Sequence, residues 1–146
     1  MGRIVNEKGG TEMRNEGINI NNIKEIIINS NNKILNQYAE ELAKKYAPQN
    51  EKEKKQKLTT SQIRNILDDV QRMRKEDIEK GKLEILCPKL AYVAGKNKDS
   101  WALEELRDIL DYAIKLVEND FNKFENFRNF FEAIVGYHKF YSKVKD

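Results

Sequence analysis

The chain holds one cysteine and one histidine, Cys87 and His138. They are the only thiol and imidazole available as nucleophile and general base. Cys87 sits between Leu86 and Pro88, a setting in which a small packed thiol is the commoner outcome. His138 projects near the centre of an apolar helical face, flanked by Phe124 and Phe131, which predicts a hydrogen-bonded core residue. One cysteine and one histidine cannot complete a structural zinc site, and one cysteine builds no disulfide framework. In the acidic pairs Asp68-Asp69 and Glu104-Glu105, helical neighbours point about 100° apart, so neither pair forms an acid/base dyad or a metal clamp. No glycine-rich phosphate loop occurs. The expectation is a protein without catalytic residues, metal or cofactor.

The basic side chains are more informative. Charged residues make up 35% of the 146-residue chain, and the net charge is +3. That charge is unevenly spread. Residues 57–98 carry 10 basic and 6 acidic side chains, whereas residues 99–146 carry 7 and 10. An anionic partner is therefore expected at the middle of the chain. Lys57, Arg64 and Lys75 project within about 20° of one another if residues 59–80 form one helix, off its apolar stripe. Lys89, Lys96 and Lys98 flank the following segment. Phosphate contact needs long cationic side chains on one solvated face and no base-specific geometry. Solubility is the competing explanation, since Asp68 and Glu79 project close to the same face.

These side chains need helices to position them. Residues 1–19 hold four of the seven glycines and read as a disordered leader, with Met13 an alternative start. Residues 20–146 read as a single helical-bundle domain. Asn22, with Glu25 three positions on, predicts the start of a helix over about 22–46, buried through Ile23, Ile27, Ile34, Tyr38, Leu42 and Tyr46. The Asn29–Asn32 cluster weakens that reading. Residues 49–57 contain no apolar side chain and read as a solvated linker or a frayed helix end. Thr59 and Gln62 form a capping-box pattern inside a Leu58/Ile63 staple, opening a helix that ends at Gly81. A shorter segment spans Leu83 to Ala94, with Pro88 starting or kinking a helix and Gly95 closing it. Ser100 caps a helix carrying Leu103, Leu106, Leu110, Ile114 and Val117. Asn119-Asp120 breaks it, and a last helix runs over about 121–142.

That last helix carries Phe121, Phe124, Phe127, Phe130 and Phe131. Aromatic rings can form a stacking platform for bases. Here they continue into Ile134 and Val135, so a core helix is the better reading. Trp101 is left as a neighbour contact or a half-exposed interface residue. No segment alternates with a period of two, and no hairpin turn occurs. The predicted fold is all-α, a compact bundle of about five helices.

No apolar run approaches a membrane span, and mean hydropathy is −0.80. The first 17 residues lack an apolar secretory core. Asn6 stands where a myristoylation pattern wants Ser or Thr. A cytoplasmic protein with a reduced thiol is expected.

Three stretches, taken together in order and spacing, carry a resemblance: LTTSQIR (58–64), LCPKLAYVAGK (86–96) and FENFRNFFEAIVGYHKFY (124–141). Over residues 57–142 the chain resembles the small helical subunit of type III-A CRISPR effector complexes, the Csm complex. The first 56 residues show no match to it. The resemblance implies a bundle of about five helices without catalytic activity. Several copies would line up beside the backbone subunits, forming a basic path along the crRNA–target RNA duplex. Target cleavage would belong to the backbone subunit, DNA cleavage and cyclic-oligoadenylate synthesis to the large subunit. The family's recurring basic positions fall on Lys57, Arg64, Lys89, Lys96 and Lys139. Lys96 stands where arginine is common in relatives, which keeps the charge and loses the bidentate fork. Lys139 sits in an acidic segment and has a rival role at a helix C-terminus.

The expected RNA-binding set is thus Lys57, Arg64, Lys75, Lys89, Lys96 and Lys139. The expected partners are crRNA, target RNA, the backbone and large Csm subunits and further copies of this chain, with no membrane. Two other readings compete: a helical protein-interaction adaptor that never touches nucleic acid, and a small cysteine-dependent enzyme built on Cys87.

Overall fold

A computed structural model describes residues 18–145. At its centre is α7 (Phe121–Tyr141), whose Phe124, Phe127, Phe130 and Phe131 are fully buried. Each aromatic ring buries a large apolar area, so four on one helix draw the others around it. α1 (Ile20–Ile27), α2 (Asn32–Tyr46), α3 (Thr60–Arg72), α4 (Lys75–Glu79) and α6 (Trp101–Val117) all pack against α7. Tyr38 of α2 stacks on Phe130 at 5.9 Å between ring centres. α5 (Leu86–Lys96) packs instead on α3 and α6. Among the described residues there is no strand, and no helix is long and apolar enough to cross a membrane.

The all-α expectation holds, but seven α-helices are described where the sequence suggests about five. The predicted 22–46 helix is two. It starts one turn early, with Asn19 Oδ1 accepting from Asn22 N at 3.0 Å, so Asn19 is the cap in place of Asn22. It breaks after Ile27, Ser30 adopts φ 53°, and Asn31 caps α2. The predicted 59–81 helix is also two. Met73 takes an extended conformation (ψ 139°), and Arg74 N donates to the Asp77 carboxylate at 2.9 Å to open α4. Gly81 then lies at φ 79°, the left-handed turn that closes α4.

Residues 1–17, most of the expected leader together with Met13, lie outside the described residues. Ile18 is buried and Asn19 caps α1, so both belong to the folded part. The 49–57 stretch is solvated and tied down. It contains a 3₁₀ helix (Glu51–Lys55) with no buried residue. On one side Leu58 N donates to Tyr46 O at 3.0 Å; on the other Ala102 N donates to Gln56 O at 3.4 Å.

Caps and breaks elsewhere follow the sequence. Gln62 Oε1 accepts from Thr59 N at 2.8 Å, with Leu58 and Ile63 fully buried as the staple. Ser100 Oγ accepts from Leu103 N at 3.0 Å. Glu118 and Asn119 take positive φ, and Asp120 opens α7. Pro88 lies in the first turn of α5, where its missing N–H costs no helical bond. Gly95 does not close α5, which runs to Lys96; Asn97 Nδ2 donates to Val93 O at 2.9 Å and takes over that role.

Candidate nucleic-acid interface

The basic residues are positioned by contacts made in the core beneath them. His138, fully buried near the C-terminal end of α7, has Nε2 2.6 Å from Leu58 O and Nδ1 3.1 Å from Thr60 Oγ1. A carbonyl only accepts, so Nε2 carries the proton. These bonds bring the end of α7 to the start of α3. Ser100 Oγ donates to Lys57 O at 2.8 Å, which brings the start of α6 to the same place. The core reading of His138 is borne out.

α5 then lies antiparallel to α3. Lys89, early in α5, pairs with Asp69, late in α3, at 2.8 Å. Lys96 and Asn97, at the other end of α5, share a groove with Ser61 and Gln62 at the start of α3. That groove encloses about 630 Å³. Leu86 and Leu90 turn inward, while Lys89, Tyr92 and Lys96 face out.

One end of the bundle thus gathers the start of α3, the ends of α5 and α7 and the start of α6. Lys57, Arg64, Lys96 and Lys139 all lie at or near it, and Lys89 stands further along the groove. Arg64, Lys96 and Lys139 are exposed. Lys57 is half-buried and 3.4 Å from Glu53. Lys75 does not join them. The stripe it shared with Lys57 and Arg64 in projection requires one unbroken helix, whereas Lys57 precedes α3 and Lys75 follows its end.

The charge is partly self-neutralised. Lys89 and Arg72 both pair with Asp69, and the Lys89 contact holds that carboxyl below its ordinary range. The acid is therefore charged at neutral pH and competes with any incoming phosphate for Lys89. Arg64 has no ion pair among the described residues.

Sequence reasoning passed over Tyr92, an aromatic ring left 66% exposed between two lysines. Its signal was available. Lys89, Tyr92 and Lys96 stand at i, i+3 and i+7, within about 60° of one another on a helix. Also missed was the buried Glu105, which accepts from the Tyr46 hydroxyl at 3.0 Å and pairs with Lys45 at 2.6 Å. Burial and this carboxylate raise the Tyr46 hydroxyl well above its ordinary range.

The candidate nucleophile behaves as a packed thiol. Cys87 is half-buried, and burial, with Asp111 adding to it, pushes its thiol up to about 11. Both ring nitrogens of His138 are engaged by Leu58 and Thr60. Among the described residues no cluster of three or more His, Cys, Asp or Glu side chains is arranged to hold a metal. Glu104 is exposed and Glu105 buried, as divergent helical neighbours should be. Trp101 is 41% exposed and meets Tyr46 edge-on at 6.0 Å.

Neither the curated proteins nor the solved structures include a match to this chain. The family model of Csm2 Type III-A matches residues 29–144. The match extends the resemblance seen over 57–142 toward the N-terminus and takes in α2, a principal partner of α7 whose repeating apolar pattern carries no motif of its own. The chain belongs to the Csm2 Type III-A family, the small subunit of the type III-A Csm complex.

Proposed function

We propose that the chain is a non-catalytic subunit that repeats along the crRNA–target RNA duplex and grips its sugar-phosphate backbone in antiviral defence. The observation that supports this is the gathering of Lys57, Arg64, Lys96 and Lys139 at one end of the bundle, with Lys89 on the groove beside them. Lys75, alone on α4, has no part in that cluster. Base pairing supplies sequence specificity in a guided complex, so the protein needs only phosphate contacts and fit to shape. A few lysines and one arginine give weak binding with steep salt dependence. Repetition beside the backbone and large subunits raises the effective concentration without new contacts. A reducing cytoplasm, with Cys87 as a free thiol, belongs to the same proposal.

A protein-adaptor reading has one observation in its favour: Phe140 and Ile85 are 77% and 56% exposed. Charge reversal separates the two. Arg64→Glu with Lys89→Glu, in the assembled complex, should weaken target-RNA binding between roughly 50 and 200 mM salt while the subunit stays folded. Wild-type affinity across that range would leave the adaptor reading standing.

A further inference from the structure

The exposed ring of Tyr92 is not explained by phosphate contact. An outward-facing tyrosine contributes little to the core, and this one is set on the same helical face as Lys89 and Lys96. Lys96 Nζ lies 5.4 Å from the ring centre. An exposed cation–π contact is weak, so a phosphate draws the ammonium away and uncovers the ring. Beside it lies the groove between α3 and α5, walled by the side-chain amides of Gln62, Asn65 and Asn97. Gln62 Oε1 is held by Thr59 N and Asn97 Nδ2 by Val93 O. That leaves Gln62 a donor and Asn97 an acceptor for a ligand. Asp69 at the Lys89 end repels a phosphate there and favours one at the Lys96 end.

We infer that Tyr92 is a stacking platform for one unpaired or extruded RNA base, whose phosphate is held by Lys96 and whose edge meets the amides of the groove. Stacking tolerates every base because each has a π-face, which suits a subunit that must not read sequence. A base inside a duplex is already stacked on its neighbours, so the site takes only nucleotides that have left the helix. The inference rests on the RNA-binding reading above.

The test uses the full chain at low salt with a short single-stranded RNA carrying one 2-aminopurine, and a fully paired duplex of the same sequence. Wild type should quench the single-stranded probe and leave the duplex signal unchanged. Tyr92→Phe should keep the quench. Tyr92→Leu should abolish it and weaken single-strand binding roughly tenfold, with its thermal unfolding unchanged because the side chain is exposed. Lys96→Gln should instead flatten the salt dependence. Quenching by Tyr92→Leu equal to wild type, with salt dependence intact, overturns the stacking site and leaves the backbone reading in place. Where the free chain binds too weakly to quench the probe, the same measurement is made on the assembled complex, and absence of any salt-dependent binding there overturns both.

Discussion

The α7 core and the α5 face differ in what each does with its aromatic and polar groups. Along the inner face of α7, Phe124, Phe127, Phe130 and Phe131 are fully enclosed, and the one buried imidazole has a partner at each nitrogen. On α5 the inward residues are few, Tyr92 faces out, as does Ile85 just before the helix, and the main polar contact is an ion pair open to water. A helix packed by five others offers a partner little beyond its exposed end, here Lys139 and Phe140. A helix held on two sides can offer a whole face. On the function proposed above, stability rests mainly on α7, and contact with RNA on α5 and the ends it meets.

Substitutions on the two regions should therefore separate cleanly. The largest effect is expected from Phe127→Ala, which opens a cavity among Phe124, Phe131 and the helices around them. It should cost about 3–5 kcal/mol in denaturant unfolding; a loss near that of a surface mutation would break the comparison.

Next is the inner side of α5. A thiol pushed up to about 11 holds roughly a hundredfold less thiolate at neutral pH than an ordinary cysteine. Alkylation of Cys87 should be correspondingly slow in the folded chain and should accelerate as pH rises toward that value. Rapid labelling at neutral pH would contradict the packing described. On α7, His138→Ala removes one hydrogen bond to Leu58 O and one to Thr60 Oγ1, and should cost about 2 kcal/mol, read as a lowered melting temperature.

Smallest is Asp69→Asn on the outer side. Freeing Lys89 should strengthen RNA binding a few-fold at low salt, with stability within about 0.5 kcal/mol of wild type. Weaker binding would mean that Asp69 orients Lys89 instead of competing for it.

Much of the core was legible because its signals are local. The Phe124–Phe131 spacing, the Ser100 cap and the Asn119-Asp120 break each lie within a few residues of the element they define. The break between α1 and α2 does not. Asn126 Nδ2 donates to Ile27 O at 3.0 Å and to Ser30 Oγ at 2.9 Å, from a helix about a hundred residues away. Local propensity made that helix doubtful without showing where it parts. The interruption at Met73 had the same consequence for the site, since it removed Lys75 from the stripe projected with Lys57 and Arg64. Residue types marked the cations. Their assembly depends on long-range bonds from His138 to Leu58 and from Ser100 to Lys57, which no local pattern announces.

RNA-backbone binding by the lysines of the α5 face is tested most directly by the salt dependence of RNA affinity. Binding by the assembled complex would be measured for wild type and for Lys89→Gln with Lys96→Gln. The Lys96 contact should be lost in full and that of Lys89, which Asp69 already engages, in part, so the log–log slope should become shallower by about one to two for each engaged copy. An unchanged slope would show that the α5 lysines do not touch RNA.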